Sequence, residues 1–338
     1  MKKISIFVAA LFVAGSVYSS VLPKEGFKIV RKIHVEGDEK WDYLYSDDAA
    51  GLLYVSHGNI VQVIDQTKDE VVGKISGVNA VHGIAIDKAQ NKGFITGGKD
   101  SSVTIFDTKS LVVITKIKVT GKGPDAILFD PFSKNVFVFN GKSNNATVIN
   151  AGTNAIVATI PFVGNPEFPQ SDGKGKIFVN LEDNSSIAVI NAVTNKVESV
   201  WPIAPGEEPT GLALDNETHR LFSVCKNKLM IVVDAETGKI ITSLPTGAKT
   251  DGAAFDPTLK FAYSSNGEGT VTVVKEENKD TFSVLENIKT QTGAKTITLN
   301  KKTHHIYLPT AEFETVPGTE KPKLVPGTFV ILDIAPLQ

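Results

Sequence analysis

One unit recurs along this chain, and it constrains the fold more than any other feature. Val103-Thr-Ile-Phe-Asp107, Ala146-Thr-Val-Ile-Asn150, Ile187-Ala-Val-Ile-Asn191 and Met230-Ile-Val-Val-Asp234 read as the same strand, each followed by a polar turn. A second strand lies upstream, as in Leu53-Tyr-Val-Ser56 and Ile177-Phe-Val-Asn180, and a third before it, as in Ala126-Ile-Leu-Phe-Asp130 and Gly211-Leu-Ala-Leu-Asp215. A fourth follows the polar turn, as in Ile240 to Leu244. The residue entering the first strand of each copy falls at Asp42, His82, Asp125, Glu167, Thr210, Asp251 and Thr296, so the gaps are 40, 43, 42, 43, 41 and 45. Seven four-strand units at that period predict an all-β, seven-bladed β-propeller of antiparallel blades. Blades start near 40, 81, 124, 166, 209, 250 and 295. The last copy lacks a fourth strand, and an orphan strand stands at 27–36, so the N-terminal strand is expected to complete the C-terminal blade and remove an exposed edge.

The turns fit this reading. Asp130-Pro131, Asp215-Asn216 and Asp256-Pro257 follow first strands, and Asp and Asn side chains bond their own turn backbone. No helical run of useful length is present. Residues 1–20 differ from the rest: Lys2 and Lys3 precede an apolar run from Ile4 to Val17, and small residues follow. That is the layout of a cleavable signal peptide cut near Ser19 or Ser20, too short to span a bilayer comfortably. The expectation is a periplasmic or secreted protein with one domain over 21–338 and no membrane span after cleavage.

Composition limits the chemistry. With 35 Lys+Arg against 37 Asp+Glu, the formal net charge is -2, which argues against a general nucleic-acid binder. No surface alternates aromatics with basic residues as a single-strand binder should. The single cysteine, Cys225, forms no internal disulfide and is read as packed at a strand end. C-x-x-C-H is absent, which argues against covalent haem, and no Gly-rich loop is followed by a helix that would receive a nucleotide phosphate. His304 and His305 sit where a turn precedes a strand and are read as turn residues.

The pattern V-I-D/N-x-x-T-x-x-V, the segments Leu53–Ser56 and Ile177–Asn180, the Pro-Asp-Ala-Ile stretch from Pro124 and the tail Lys302–Phe313 resemble the YVTN-repeat, YncE-like propellers over essentially all of the chain after residue 20. The resemblance implies an exported bacterial propeller and little chemistry. Within that family a periplasmic single-stranded-DNA binder and subunits of periplasmic redox enzymes are known. No catalytic set carries over.

The sequence places its chemistry on one rim. Blade-to-blade crossings and second-to-third-strand loops surround one mouth of the channel. There the register holds Asp42, His82, Asp125, Glu167 and Asp251, while His57, Glu182 and Glu312 stand in the loops and Trp41, Asn140, Phe168 and Asn266 beside them. A crossing needs small or flexible residues, not carboxylates. These side chains are candidates for a divalent cation: Ca²⁺ or Mg²⁺ if oxygens dominate, Zn²⁺ if histidines reach it. A metal-free small ligand or a protein partner at the mouth is a second reading, and acids that merely staple blades together are a third. The leading expectation is a non-catalytic, monomeric binding or scaffold protein. A metal-dependent, lactonase-like hydrolase and a subunit of a periplasmic redox complex are the alternatives. The long segment 309–327 of the last blade projects from the same rim, either as a lid or as a solvated insertion.

Overall fold

A computed structural model of the chain describes residues 26–315 and 322–337. The signal-peptide expectation for 1–20 therefore lies outside the described residues. Seven four-stranded antiparallel sheets form the molecule, together with a two-stranded hairpin at Phe313–Glu314 and Lys323–Leu324. The innermost strands are Trp41–Asp47, Val81–Asp87, Pro124–Asp130, Pro166–Ser171, Pro209–Asp215, Thr250–Asp256 and Thr298–Asn300. Each contacts the next around the axis, and the last returns to the first, so the blades close into a ring. Only a three-residue 3₁₀ turn, Gly141–Ser143, departs from strand and loop among the described residues, and no described helix is long and apolar enough to cross a membrane.

Ring closure follows the expected route. Phe27–His34 pairs antiparallel with Val330–Pro336, matching Ile33 with Ile331 and Phe27 with Pro336, and so supplies the outer strand of blade 7. Ile33 and Val35 are buried with Leu53, Ile64 and Ile331, which joins the closing strand to blade 1. A polar clasp lies beside them. The fully buried Asp333 accepts from Arg31 Nε at 3.1 Å and from His305 Nδ1 at 2.7 Å, and Arg31 reaches on to Asp69.

The rim away from the candidate site carries the staples. Buried Asp47, Asp130, Asp215 and Asp256 end their inner strands and accept turn amides. Each also reaches the next blade: Asp47 to Lys88 at 2.9 Å, Asp130 to Ser171 at 2.6 Å, Asp215 to Lys260 at 3.2 Å and Asp256 to His304 at 2.7 Å. Asn300 completes the series through Gln66 of blade 1. His304 and His219 occupy turn positions with φ of 65° and 56°, where a left-handed backbone lets the strands reverse. Cys225 is buried at the end of its strand, as read from the sequence.

Because Ile33 ties the closing strand into the core, Ile33→Ala should lower unfolding stability by about 2–4 kcal/mol. Val157→Ala, on an exposed outer strand, should change it by less than about 0.5 kcal/mol. Urea titration of the two variants checks this, and equal midpoints would remove the closing strand from its role.

Candidate functional site at the channel mouth

The register residue is the second residue of its inner strand in six blades, and pairing with the second strand slips immediately after it. The shifts fall between Trp41 and Leu44, Val81 and Ile84, Pro124 and Ile127, Pro166 and Pro169, Pro209 and Leu212, and Thr250 and Gly252. A bulge at a strand end re-aims side chains that a regular ladder would hold perpendicular to the sheet. Here it recurs at every crossing that carries an ionisable group.

Hydroxyl and amide side chains brace the bulged backbone. Thr96 Oγ1 donates to Asp125 O at 2.7 Å, Asn180 Nδ2 to Thr210 O at 3.1 Å, Ser265 Oγ to Lys295 O and Thr296 Oγ1 to Asp42 O at 2.8 Å. Blades are thus joined at this rim through main-chain carbonyls. Side chains of this rim also bond across blades, Asp42 to His82, Glu182 to Lys226 and Asp251 to Lys295.

Three of the register residues meet. His82 Nδ1 donates to Asp42 Oδ2 at 2.5 Å and lies 3.5 Å from Asp125 Oδ1. One ligand atom from each of the three lies within 4.8 Å of the others. Asp125 Oδ1 is buried and has no hydrogen-bond partner. Burial and the Asp42 charge push the Asp125 carboxyl up to about 7, against the opposing pull of His82. His82 moves the other way from what its burial favours: its bond to Asp42 and the charge of Asp125 raise its pKa.

Blades 4 to 6 pair their acids differently. Burial, then the charge of Asp125 and the proximity of Glu182, push Glu167 up to about 9. Asn165 Nδ2 donates to both Glu167 Oε1 and Glu182 Oε2 at 3.1 Å. Lys226 binds Glu182 and Glu208, and its ion pair overcomes burial to lower the pKa of Glu182. Lys295 Nζ bonds Asp251 Oδ2 at 2.6 Å, although burial still holds the Asp251 pKa above its ordinary value.

Below the acids, Tyr43 and Phe168 meet across the channel with ring centroids 5.5 Å apart. The position after the register residue is Gly83, Ala126, Gly211 or Gly252 in four other blades, which leaves room for two rings from blades 1 and 4. Burial and the surrounding carboxylates hold the Tyr43 phenol well above its ordinary pKa. Beneath these rings runs a cavity of about 440 Å³ ending at Asp48, Lys88 and Lys301.

The remaining predicted residues lie elsewhere or act locally. His57 is fully buried, stacked on Phe329 at 4.1 Å, and bonded to Glu39 O at 3.0 Å. Burial lowers its pKa, and it does not join His82. Trp41 packs on Phe329 and Phe313, because adjacent strand residues face opposite ways. Glu312 is exposed at the base of the hairpin, where its amide donates to Thr328. Asn140 and Asn266 are buried and brace their own blades through Thr147 and Thr272, each at 3.0 Å. Tyr43, Asn165, Lys226 and Lys295 belong to the mouth and escaped the sequence reading. Only Tyr43 had a usable signal, a large residue at a register otherwise rich in glycine and alanine.

No family model matches the chain. It is 23% identical over 228 residues to a protein of Salmonella typhimurium named uncharacterized protein YncE, covering 67% of this chain and 52% of that one. The chain is similar to the YncE-like proteins. The resemblance read from the repeat is thus found again by direct comparison. Antigen Lp49 of Leptospira interrogans is 22% identical over 232 residues, 66% of this chain and 49% of its own. The chain spans about half the length of the curated relatives it matches. Among solved structures, hydrazine synthase of Kuenenia stuttgartiensis aligns with a TM-score of 0.70 at 17% identity, covering 81% of this chain and 94% of the other. U3-55K aligns at 0.77 and 10% identity, covering 91% and 98%. These identities establish the propeller fold and nothing further.

The electrostatics predict a direction for stability. In the unfolded chain Glu167 ionises near the ordinary glutamate value of about 4.3. The fold holds it protonated up to about 9, so the folded state binds the extra proton between these values. Its contribution is full below the lower pH and is lost as pH rises through the upper one. Glu167→Gln should therefore gain stability over the parent at pH 9 relative to pH 5. Urea midpoints of both proteins at the two pH values check this, and a constant difference refutes it.

Proposed function

We propose that the protein is an exported propeller-type binding protein whose channel mouth holds a divalent cation on Asp42, His82 and Asp125. The observation that carries this reading is that, among the described residues, no Lys or Arg pairs with these two carboxylates, whereas Glu182 and Asp251 each have a lysine. A doubly charged cation would satisfy the orphaned Asp125 oxygen and relieve the repulsion that raises its pKa. One nitrogen and two carboxylates suit a cation of the Zn²⁺ or Mn²⁺ class better than an all-oxygen Ca²⁺ site, and His57 is too remote to add a second nitrogen. Three protein ligands leave coordination positions free for a ligand. The cation's role in this reading is to bind and orient.

Calorimetric titration of chelator-treated protein with Zn²⁺ and Mn²⁺ tests the reading. One site per chain is expected, weakened more than about tenfold by His82→Ala or Asp125→Asn. Affinity should fall as pH drops from 8 to 6, because Asp125 and His82 must both release protons to bind the ion. Failure to bind either ion, or variants that bind as the parent does, would overturn it.

Export rests on the character of residues 1–20. Intact-mass measurement of the protein recovered from its native host should show loss of about 19 or 20 residues, the length of a cleaved signal peptide. A full-length chain would exclude cleavage.

A further inference from the structure

A pocket of about 430 Å³ opens beside the Asp42–His82–Asp125 group, between the crossings of blades 2, 3 and 4. Its volume lies within the range of small-ligand sites. Glycines create the space. A Cβ on Gly98 would come within 2.6 Å of the His82 ring, and one on Gly141 within 2.7 Å of Asn165 Oδ1. Gly123, at φ +62°, leaves room for the stem of Lys142.

Two cations stand at this pocket without a counterion. Lys99 and Lys142 line it, and neither forms an ion pair or a side-chain hydrogen bond among the described residues. Lys226 and Lys295 at the same mouth differ, since Glu182 and Asp251 engage them. The charge of Lys142 is felt at the His82 ring, so it overlooks the cluster. The pocket thus joins a metal-ligating group at its floor to two free ammonium groups and the Asn165 amide at its sides.

We propose that this pocket takes a small anion, a carboxylate or a phosphate, that fills an open coordination position of the cation while Lys99 and Lys142 hold its remaining oxygens. This rests on the cation reading above. With a divalent ion in place, Asp42 and Asp125 are neutralised and the two lysines leave the pocket net positive. Glu167 lines the same pocket. Burial and its contact with Glu182 favour its protonated form, which lessens its repulsion of an anion.

The test is calorimetric titration of malonate and, separately, inorganic phosphate into protein loaded with Mn²⁺, into chelator-treated protein, and into Mn²⁺-loaded Lys99→Gln/Lys142→Gln protein. Binding of one anion per chain is expected in the loaded protein, weakened about tenfold in the double variant, since two exposed charge contacts of under 1 kcal/mol each amount to that factor. The double variant should bind Mn²⁺ as the parent does. The anion that binds more tightly identifies carboxylate or phosphate as the cognate chemistry. If Mn²⁺ binds but neither anion does, or if the double variant binds anion undiminished, the anion pocket is refuted and the cation site stands. If neither Mn²⁺ nor Zn²⁺ binds, both readings fall together; if only Zn²⁺ binds, the same anion titrations into Zn²⁺-loaded protein decide.

Discussion

Everything at the mouth depends on the strand pairing of Phe27–His34 with Val330–Pro336. A propeller has no single core; each blade is buried only by its two neighbours. An open ring would expose the apolar faces of blades 1 and 7 and an unpaired sheet edge. The N-terminal strand prevents both by crossing to the last blade and carrying Ile33 and Val35 into the cluster shared with Leu53 and Ile64. The buried Asp333 gives that apolar seam a fixed register, because it must find both Arg31 and His305. Closure also sets the site: Thr296 of blade 7 holds the carbonyl of Asp42 in blade 1, and through it the partner of His82.

Given a closed ring, the two ends of the inner strands use their polar side chains differently. At the far end, Asp or Asn caps a turn with its side chain and reaches the next blade in the same gesture. A buried carboxylate with several donors is satisfied there. At the near end the backbone bulges, and Thr, Ser or Asn from other strands bond the displaced carbonyls. The side chain at the bulge then need not brace its own displaced carbonyl. The position accordingly holds Thr210 in blade 5 as readily as Asp125 in blade 3.

The sequence displayed the architecture almost completely, because each blade repeats the same alternation of strands and turns, and seven weak signals in phase make a strong one. It displayed the site only in part, for a physical reason. Register in a repeat fixes height along the axis, and Asp42, His82, Asp125, Glu167 and Asp251 each stand second in their inner strand. It does not fix side-chain direction at a bulge or the reach of a loop. His57 stands at the right height and faces Phe329; Trp41 is adjacent to Asp42 and turns away from it. The lysines that separate compensated acids from uncompensated ones lie on neighbouring blades, and pairing across blades has no footprint in local sequence. Tyr43 and Phe168 were separately visible as aromatics, but their contact crosses the channel from blade 1 to blade 4.

A ring of like charges on a repeat is inherently unfavourable, since each carboxylate raises the cost of ionising the next. This chain meets that cost in two ways around one mouth. On blades 4 to 6, Lys226, Lys295 and the Asn165 amide absorb the charge, and Glu167 keeps its proton. On blades 1 to 3 a lone histidine stands between two carboxylates, one of which has an oxygen with no partner. Symmetry would distribute compensation evenly. The break in that symmetry coincides with the glycine-lined pocket and with two lysines bordering it, Lys99 and Lys142, which have no ion pair among the described residues. Structural economy explains the compensated half, where Glu182 and Asp251 each pair with a lysine of the protein. In the proposed cation reading, the uncompensated half is completed from outside.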